Sequence, residues 1–326
     1  GTLCLLDKDK KPLQDSILWY CTRARDYPEI FGQHITPEEY QEHTGMQLSP
    51  LWVAAKIAWL RDNKPDTFEK TAWFANGQEY FLYLLGADRW ETDPASLTLN
   101  GMMDIRKLDW SDRVLEMCGI SRDRVPPVGP PSGMVGKVSK QAAEATGIPE
   151  GVILCRGAGD QQCAAIGAGV IRQGMAEFTV GTAGVMVAHL DSVDRIKGKN
   201  LWWGGHGVPN AWDIEGGAFC LGASLKWWRD NLGLDEVQEA ESRNTSPYAV
   251  MVDKAQESPA GARGLLFHSF LASQVTPYYD ADSRGGLIGL GNYHTRVDLV
   301  RALLEGCAHE MKMVVDAFQS DIDGGI

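Results

Sequence analysis

Residues 151–188 read GVILCRGAGDQQCAAIGAGVIRQGMAEFTVGTAGVMVA. The apolar run at 152–155 predicts a buried strand, and the small and apolar residues at 163–166 predict a helix packed closely on a sheet. Between them, Arg-Gly-Ala-Gly interrupts the pattern and Asp160 follows. Apolar runs at 178–180 and 185–187 predict a strand pair joined by a Gly-Thr-Ala-Gly turn. The stretch therefore places one carboxylate at a strand-to-helix corner and a tight turn about twenty residues later.

Asp160 has two interpretations that the motif alone leaves open. Aspartate is favoured at the N-cap of a helix, where its side chain accepts a hydrogen bond from a free backbone N–H, so Asp160 could be purely structural. Alternatively, its carboxylate points into a cleft and acts as a general base.

The turn that begins with Gly181 and Thr182 also has two interpretations. A Gly-Thr-Ala-Gly sequence between two strands is typical of a simple hairpin turn. The same turn could instead present backbone N–H groups and the Thr182 hydroxyl to a phosphate group. Neither the Asp160 corner nor this turn is decisive alone, so the functional interpretation depends on the order and spacing of the two.

Composition restricts the classes of protein to consider. The chain has 326 residues, enough for two domains, and is 44% hydrophobic and 23% charged, which is ordinary for a globular protein. Its formal net charge of −12 argues against nucleic acid as a partner. No apolar run is long enough to span a bilayer, so we expect no membrane partner. The seven cysteines form no C-x-x-C pair and predict reduced thiols, mostly in the core, and a cytoplasmic location.

The order Gly-x-Gly-Asp, small-residue helix and Gly-Thr turn resembles the middle of the FGGY family of carbohydrate kinases. Three further stretches strengthen the resemblance. The family pattern "ILWxDxR" is matched at 17–23, where Cys21 replaces the commoner acid, and "EGGxxxxGxSLxWxRD" is matched at 215–230. A Gly-rich turn at 285–289 is followed by a predicted amphipathic helix at 297–318, as in the family. The resemblance spans nearly the whole chain.

The resemblance implies an α/β fold of two actin-like, ribonuclease H-like domains with mixed sheets flanking a cleft. Residues 1–172 would form a sugar-binding N-terminal domain, and residues 173–326 a nucleotide-binding C-terminal domain. In that arrangement Asp160 belongs to the first domain and Gly181 and Thr182 to the second. Closure of the domains would bring them together and exclude water.

The resemblance also implies a reaction, phosphoryl transfer from ATP to a sugar hydroxyl with Mg²⁺ neutralising phosphate charge. Asp160 would accept the proton of the attacking hydroxyl, and Gln161 would bind a neighbouring sugar hydroxyl. Gly181 and Thr182 would bind the transferring phosphate. No residue of this chain is identified as a metal ligand.

The substrate is a sugar or polyol that the sequence does not fully specify. Gln161 is the residue that glycerol kinases carry after the catalytic acid, but Leu51 stands where they have an aromatic residue. Other stretches favour the xylulokinase branch. We therefore expect a ketopentose such as D-xylulose, with glycerol or another polyol as the alternative. A homodimer is left open.

Two features of the family are missing from this sequence. They are the opening strand with an Asp-x-Gly-Thr turn and the late Gly-Gly-Gly-x-Ser segment near adenosine. We therefore expect the sequence to be a fragment, truncated at both ends. An alternative of a different class is a non-catalytic actin-like binding module.

Several other polar residues have weaker claims to function. Gln78, Asp93, Ser96 and Asn100 could line the sugar side of the cleft, although turn and cap roles are more common for such residues. His206 has no second histidine or carboxylate at ligand spacing, so a metal or acid-base role is not expected.

Overall fold

The computed structural model describes residues 1–280 and 282–326 and has mixed α/β secondary structure. The strands are short and are distributed along the whole chain: β1 (Leu3–Leu6), β2 (Trp73–Asn76), β3 (Met103–Asp104), β4 (Asp109–Trp110), β5 (Met134–Lys137), β6 (Ile153–Cys155), β7 (Ala176–Val180), β8 (Gly184–Leu190), β9 (Trp202–Gly205), β10 (Trp212–Ala218), β11 (Leu266–His268) and β12 (Gly286–Ile288).

The helices lie between these strands, singly or in groups, and the last is the longest: α1 (Tyr27–Phe31), α2 (Pro37–Thr44), α3 (Val53–Asn63), α4 (Pro65–Lys70), α5 (Gly77–Leu85), α6 (Pro94–Thr98), α7 (Asp112–Cys118), α8 (Lys140–Thr146), α9 (Asp160–Gly167), α10 (Gly222–Asn231), α11 (Leu234–Arg243), α12 (Pro247–Gln256) and α13 (Arg296–Asp321). None of those in the described ranges combines the length and the apolar character needed to cross a lipid bilayer.

The strands pair in small sheets. Antiparallel pairs join β1 to β2, β3 to β4, β5 to β6 and β11 to β12. A four-stranded sheet has the order β7-β8-β10-β9. The predicted strand pair around the Gly181 turn is therefore confirmed as β7 and β8.

The chain divides into two compact units. The first unit contains Gly1–Met175, Ala188–Arg195 and Trp202–Ile214. The second contains Ala176–Val187, Ile196–Leu201 and Glu215–Ile326, so β8 and β10 contribute residues to both units. The expected boundary near residue 172 concerns the domains of the family and stays a prediction.

In the first unit, helix starts follow from their capping residues. Thr36 and Glu39 form a capping box before α2, with N–H to side-chain oxygen distances of 3.1 Å in both directions. Ser139 caps α8 by accepting a hydrogen bond of 3.1 Å from the Ala142 N–H. These caps satisfy N–H groups that the helix itself leaves free.

Strand β6, which leads to Asp160, forms as predicted but is buried on one side only. Leu154 is 7% exposed and packs with Val135, Val138 and Ala142, whereas Ile153 is 59% exposed. The expectation of a fully buried strand is therefore wrong. In the part of the chain that the structure describes, the strand pairs only with β5, and alternate side chains point to opposite faces of such a pair.

The cysteine prediction is confirmed for four of the seven residues. All seven are free, and Cys4, Cys118, Cys220 and Cys307 are buried. Cys155 and Cys163 are exposed, because they lie on the open side of β6 and on the outer face of α9.

The second unit is built around α13, which confirms the predicted amphipathic helix. Val300, Ala302 and Leu303 on this helix belong to an apolar core with Phe267 of β11 and Met251 of α12. A capping box between Thr295 and Asp298 starts the helix. This core fixes the α10–α12 layer on the long helix.

Glu236 on α11 forms the main buried ion pair of this layer. Its side chain is 0% exposed and contacts the Arg296 guanidinium at 2.5 Å and the Lys254 ammonium at 3.2 Å. Burial alone would raise the pKa of Glu236, but hydrogen bonds from Arg296 and Lys254 outweigh it and lower the pKa to about 2. The ionised carboxylate therefore favours the folded state.

We predict that Glu236→Gln destabilises the protein at neutral pH by about 1–2 kcal/mol. The pKa shift alone would imply about 3 kcal/mol, which solvent at the partly exposed Arg296 reduces. Because the folded-state pKa lies below the unfolded one, the contribution is present above about pH 4.5 and is lost as pH falls toward about 2. Urea unfolding of both proteins at neutral pH and at about pH 3 measures this contribution to the free energy of unfolding.

The matched control is Glu239→Gln on the same helix, where the carboxylate is 39% exposed. We expect its effect to stay within about 0.5 kcal/mol. An equal loss of stability in the two variants at neutral pH would contradict the assigned role of Glu236.

Candidate active site

The Asp160 corner is formed by the end of β6 and the start of α9. Gly159, with φ −59° and ψ 157°, is the N-cap, and Asp160 is the first helical residue. Asp160 is therefore not the N-cap, but its Oδ1 accepts a hydrogen bond of 3.0 Å from the Gln161 N–H in the first turn of the helix. The structure thus assigns the cap position to Gly159 and leaves the Asp160 carboxylate exposed to solvent.

Arg156 anchors the segment that leads to this corner. The residue is 3% exposed, and its guanidinium pairs with the Glu91 carboxylate and donates to the Pro130 carbonyl at 2.9 Å. A Cβ at Gly129 would lie 2.5 Å from the guanidinium carbon, and one at Gly133 would overlap the group. The glycine-rich loop therefore leaves the space that the buried guanidinium fills, as close packing requires.

Gln161 and Gln162 follow Asp160 with different environments. Gln161 is partly buried, and its Oε1 is a buried acceptor without a hydrogen-bond partner among the described residues. Gln162 is 3% exposed, and its Nε2 donates a hydrogen bond of 2.5 Å to Asp213 Oδ2. Among the described residues the Gln161 Oε1 therefore has no internal partner, whereas the Gln162 amide is used inside the unit.

Asp213 is a functional candidate that the sequence reasoning missed. It lies on β10, is 1% exposed, and burial raises its pKa to about 7, against the smaller opposite effect of the Gln162 bond. The available signal was an acid within the apolar and glycine-rich stretch at 211–218. Buried acids are rare unless they are paired, so such a position indicates a specific partner.

In the second unit, the Gly181–Thr182 turn is held by its own carbonyl groups. The Gly181 and Thr182 carbonyls each accept a hydrogen bond of 3.0 Å, from the N–H groups of Gly222 and Ala223 at the start of α10. A Cβ at Gly222 would overlap the Gly181 carbonyl oxygen. The turn therefore lies directly on the beginning of this helix.

The groups expected to bind phosphate differ in availability. Thr182 is exposed, and no hydrogen bond of its hydroxyl is found in the described ranges. The Gly181 N–H instead donates to the Ala183 carbonyl at 2.8 Å. Binding of phosphate by Gly181 would require this bond to be replaced, whereas the Thr182 hydroxyl is ready to donate.

The residues considered for the sugar side are mostly paired with one another. Gln78 Nε2 donates to Asp93 Oδ2 at 2.7 Å, and Ser96 Oγ donates to Gln78 Oε1 at 2.9 Å. Asp93 also caps α6 by accepting from the Ser96 N–H at 2.9 Å. Asn100 is 2% exposed. These contacts favour the cap and turn roles.

His206 lies in a buried pair that the sequence did not predict. Its ring centroid is 4.8 Å from that of His189, and its Nδ1 accepts from the Val208 N–H at 3.0 Å. Burial, with a smaller contribution from His189, lowers the pKa of His206 to about 4. The ring is therefore neutral near pH 7. Across residues 1–280 and 282–326, no cluster of three or more His, Cys, Asp or Glu side chains has metal-binding geometry.

Comparisons with known proteins identify relatives over almost the entire chain. The xylulose kinase of Bacillus subtilis (strain 168) is 29% identical over 323 residues, which cover 97% of this chain and 61% of the relative. The gluconokinase of the same organism is 27% identical over 322 residues, which cover 98% of this chain and 62% of the relative. The chain thus spans about three fifths of the length of these curated relatives.

A solved structure confirms the expected fold class. The crystal structure of xylulose kinase from Rhodospirillum rubrum matches with a TM-score of 0.88 at 26% identity, covering 98% of this chain and 63% of that one. The model of the N-terminal domain of the FGGY family of carbohydrate kinases matches residues 1–167, and the model of its C-terminal domain matches residues 176–324. The chain therefore belongs to the FGGY family of carbohydrate kinases.

Proposed function

We propose that this protein transfers the γ-phosphoryl group of ATP to a hydroxyl of a ketopentose such as D-xylulose. The observation that carries the proposal is the Asp160 carboxylate, which lies exposed at the first position of α9 and serves as no cap. A solvent-exposed carboxylate that one backbone hydrogen bond holds at a defined corner is suited to accept a proton from a substrate hydroxyl.

In the proposed reaction Asp160 takes the proton of the attacking hydroxyl. The hydroxyl oxygen forms a bond to the γ-phosphorus, the bond from that phosphorus to the β,γ-bridging oxygen breaks, and ADP leaves with the electron pair. Gln161 binds an adjacent sugar hydroxyl, which the unpartnered Oε1 supports because it can accept a hydrogen bond from such a group.

We propose that the Thr182 hydroxyl, joined by the Gly181 N–H once it is released from Ala183, donates to the transferring phosphate. The attachment of the turn to the start of α10 supports this role, because a donor held in place loses little freedom on binding. Mg²⁺ would neutralise charge on the phosphates. The described residues offer no ready ligand cluster, so we assign it no side chain.

The choice of a ketopentose is supported by the similarity to xylulose kinase and by Leu51, which stands where glycerol kinases carry an aromatic residue. Leu51 presents an aliphatic side chain, and its carbonyl accepts a hydrogen bond of 2.6 Å from the buried Lys56 ammonium, which fixes the backbone there. Gln161 keeps glycerol or another polyol as the alternative. The gluconokinase at 27% identity adds an aldonic acid as a second candidate substrate class.

We predict that Asp160→Asn lowers kcat about 10²–10⁴-fold, because the amide cannot accept the proton. The full-length protein is assayed for ADP release with Mg-ATP and D-xylulose, glycerol and gluconate. Asp66→Asn, an exposed acid at the start of α4, is the matched control and should keep full activity.

Turnover that depends on sugar and survives in Asp160→Asn would exclude Asp160 as the base. No turnover on any of the compounds, from a protein shown by mass to be intact, would exclude the kinase and favour a non-catalytic actin-like binding module.

We predict that Thr182→Val lowers kcat about 10–100-fold, since it removes one hydroxyl donor from the phosphate while keeping the shape of the side chain. Thr182→Ser retains the donor and should recover most of the activity. Steady-state kinetics with varied ATP measures the effect. Equal activity in the Val and Ser variants would show that the hydroxyl has no role.

We predict that kcat/KM for D-xylulose exceeds the value for glycerol at least about tenfold, because binding energy from the additional hydroxyls is used in the transition state. The same assay with each compound at varied concentration gives the ratio. A ratio in favour of glycerol or gluconate would move the assignment to that branch without affecting the proposed role of Asp160.

A further inference from the structure

The buried pair of Gln162 and Asp213 connects the start of α9 to strand β10. The Gln162 Nε2 and the Asp213 Oδ2 are 2.5 Å apart, and the two side chains are 3% and 1% exposed. Gln162 is the third residue of α9, two positions after Asp160. A hydrogen bond that holds Gln162 therefore also restrains the first turn of α9, which carries both Asp160 and Gln161.

This helix has few other attachments. The buried residues of α9 are Gln162 and Ala165, and the remaining positions of the helix are exposed or partly exposed. The Ile166 side chain also lies against Gly207, but apolar contacts of this kind are not directional. The hydrogen bond of Gln162 is directional and therefore helps to fix the rotation of α9 about its axis.

At two glycines the backbone approaches the side chains of the pair so closely that no Cβ would fit. A Cβ at Gly159 would overlap the Gln162 amide oxygen, and one at Gly204 would lie 2.5 Å from Asp213 Oδ1. Thr98 lies beside Gly204 and is itself held, because its Oγ1 accepts from the Gly205 N–H at 2.9 Å. The backbone at Gly159 and at Gly204 therefore lies close against the two side chains.

We propose that Asp213 is a positioning residue, which acts through Gln162 to hold Asp160 and Gln161 in place for the sugar hydroxyls. This inference rests on the proposed function. Its chemical basis is that a buried carboxylate is costly unless it is bonded, so Asp213 strongly favours the one arrangement of α9 that supplies the Gln162 amide.

The protonation state of Asp213 provides a readout that a purely structural residue would not give. Burial raises its pKa to about 7, and no charged side chain contributes to that shift; the Gln162 bond and a backbone hydrogen bond oppose it. Below that pH the carboxyl is neutral, and above it the ionised form accepts a stronger hydrogen bond from Gln162. The Asp213→Asn variant keeps the size of the side chain but stays neutral at every pH.

The first part of the test compares the wild-type protein with Asp213→Asn in the full-length form at about pH 6 and about pH 8. We expect similar kcat for both at the lower pH, and a kcat about fivefold lower in the variant at the higher pH. KM for ATP should not change. Asp104→Asn, a largely buried acid in the β3–β4 hairpin, is the control and should match the wild type at both pH values.

The second part measures the helix itself and needs no activity. Hydrogen exchange of the amides at 160–167 should become about tenfold faster in Gln162→Met, which keeps the side-chain volume but removes the donor. The double variant with Asp213→Asn should exchange no faster than Gln162→Met alone, because without the Gln162 donor residue 213 has no hydrogen bond to that side chain left to weaken.

Unchanged exchange in Gln162→Met, or a kcat of Asp213→Asn that equals the wild type at both pH values, would overturn the proposal. If the wild type has no turnover on any sugar, the kinase assignment fails, while the exchange experiment still decides whether the pair holds α9.

Discussion

A polar side chain that is removed from water must find a hydrogen-bond partner, and this constraint shapes the first unit around Asp160. The buried Arg156 side chain donates to the Pro130 carbonyl and pairs with Glu91, while Gln162 Nε2 donates to Asp213 Oδ2. Each pair has essentially one satisfied arrangement. The strand end, the corner and the helix start are consequently held in one geometry, although β6 itself is exposed on one face.

Glycines make this arrangement sterically possible. Gly133 leaves room for the Arg156 guanidinium, Gly159 for the Gln162 amide and Gly204 for the Asp213 carboxylate. The Gly222 position does the same for the carbonyl group of the Gly181 turn in the second unit. Close approach of this kind requires the absence of a Cβ, so the glycines around the motifs contribute as much to the site as the polar residues.

The polar groups of the chain separate into those that are used internally and those that remain available. Gln78, Asp93 and Ser96 bond to one another, and His206 accepts a backbone hydrogen bond in its neutral state. The Asp160 carboxylate is exposed, and the Gln161 amide oxygen has no hydrogen-bond partner within residues 1–280 and 282–326. Groups of the second kind are the ones that a substrate can engage, which is why the proposed chemistry is assigned to them.

The sequence by itself determined the order of the elements, the position of Asp160 at a strand-to-helix corner and the Gly-Thr turn between two strands. Local patterns suffice there, since caps, glycine turns and apolar periodicity act over a few residues. The tertiary structure alone showed that Gly159 takes the cap position, that the Gly181 N–H is bonded to Ala183, and that Asp213 meets Gln162. Asp213 and Gln162 are separated by 51 positions in the chain. A pattern of neighbouring residues cannot predict such a contact, because it forms only when distant segments fold together.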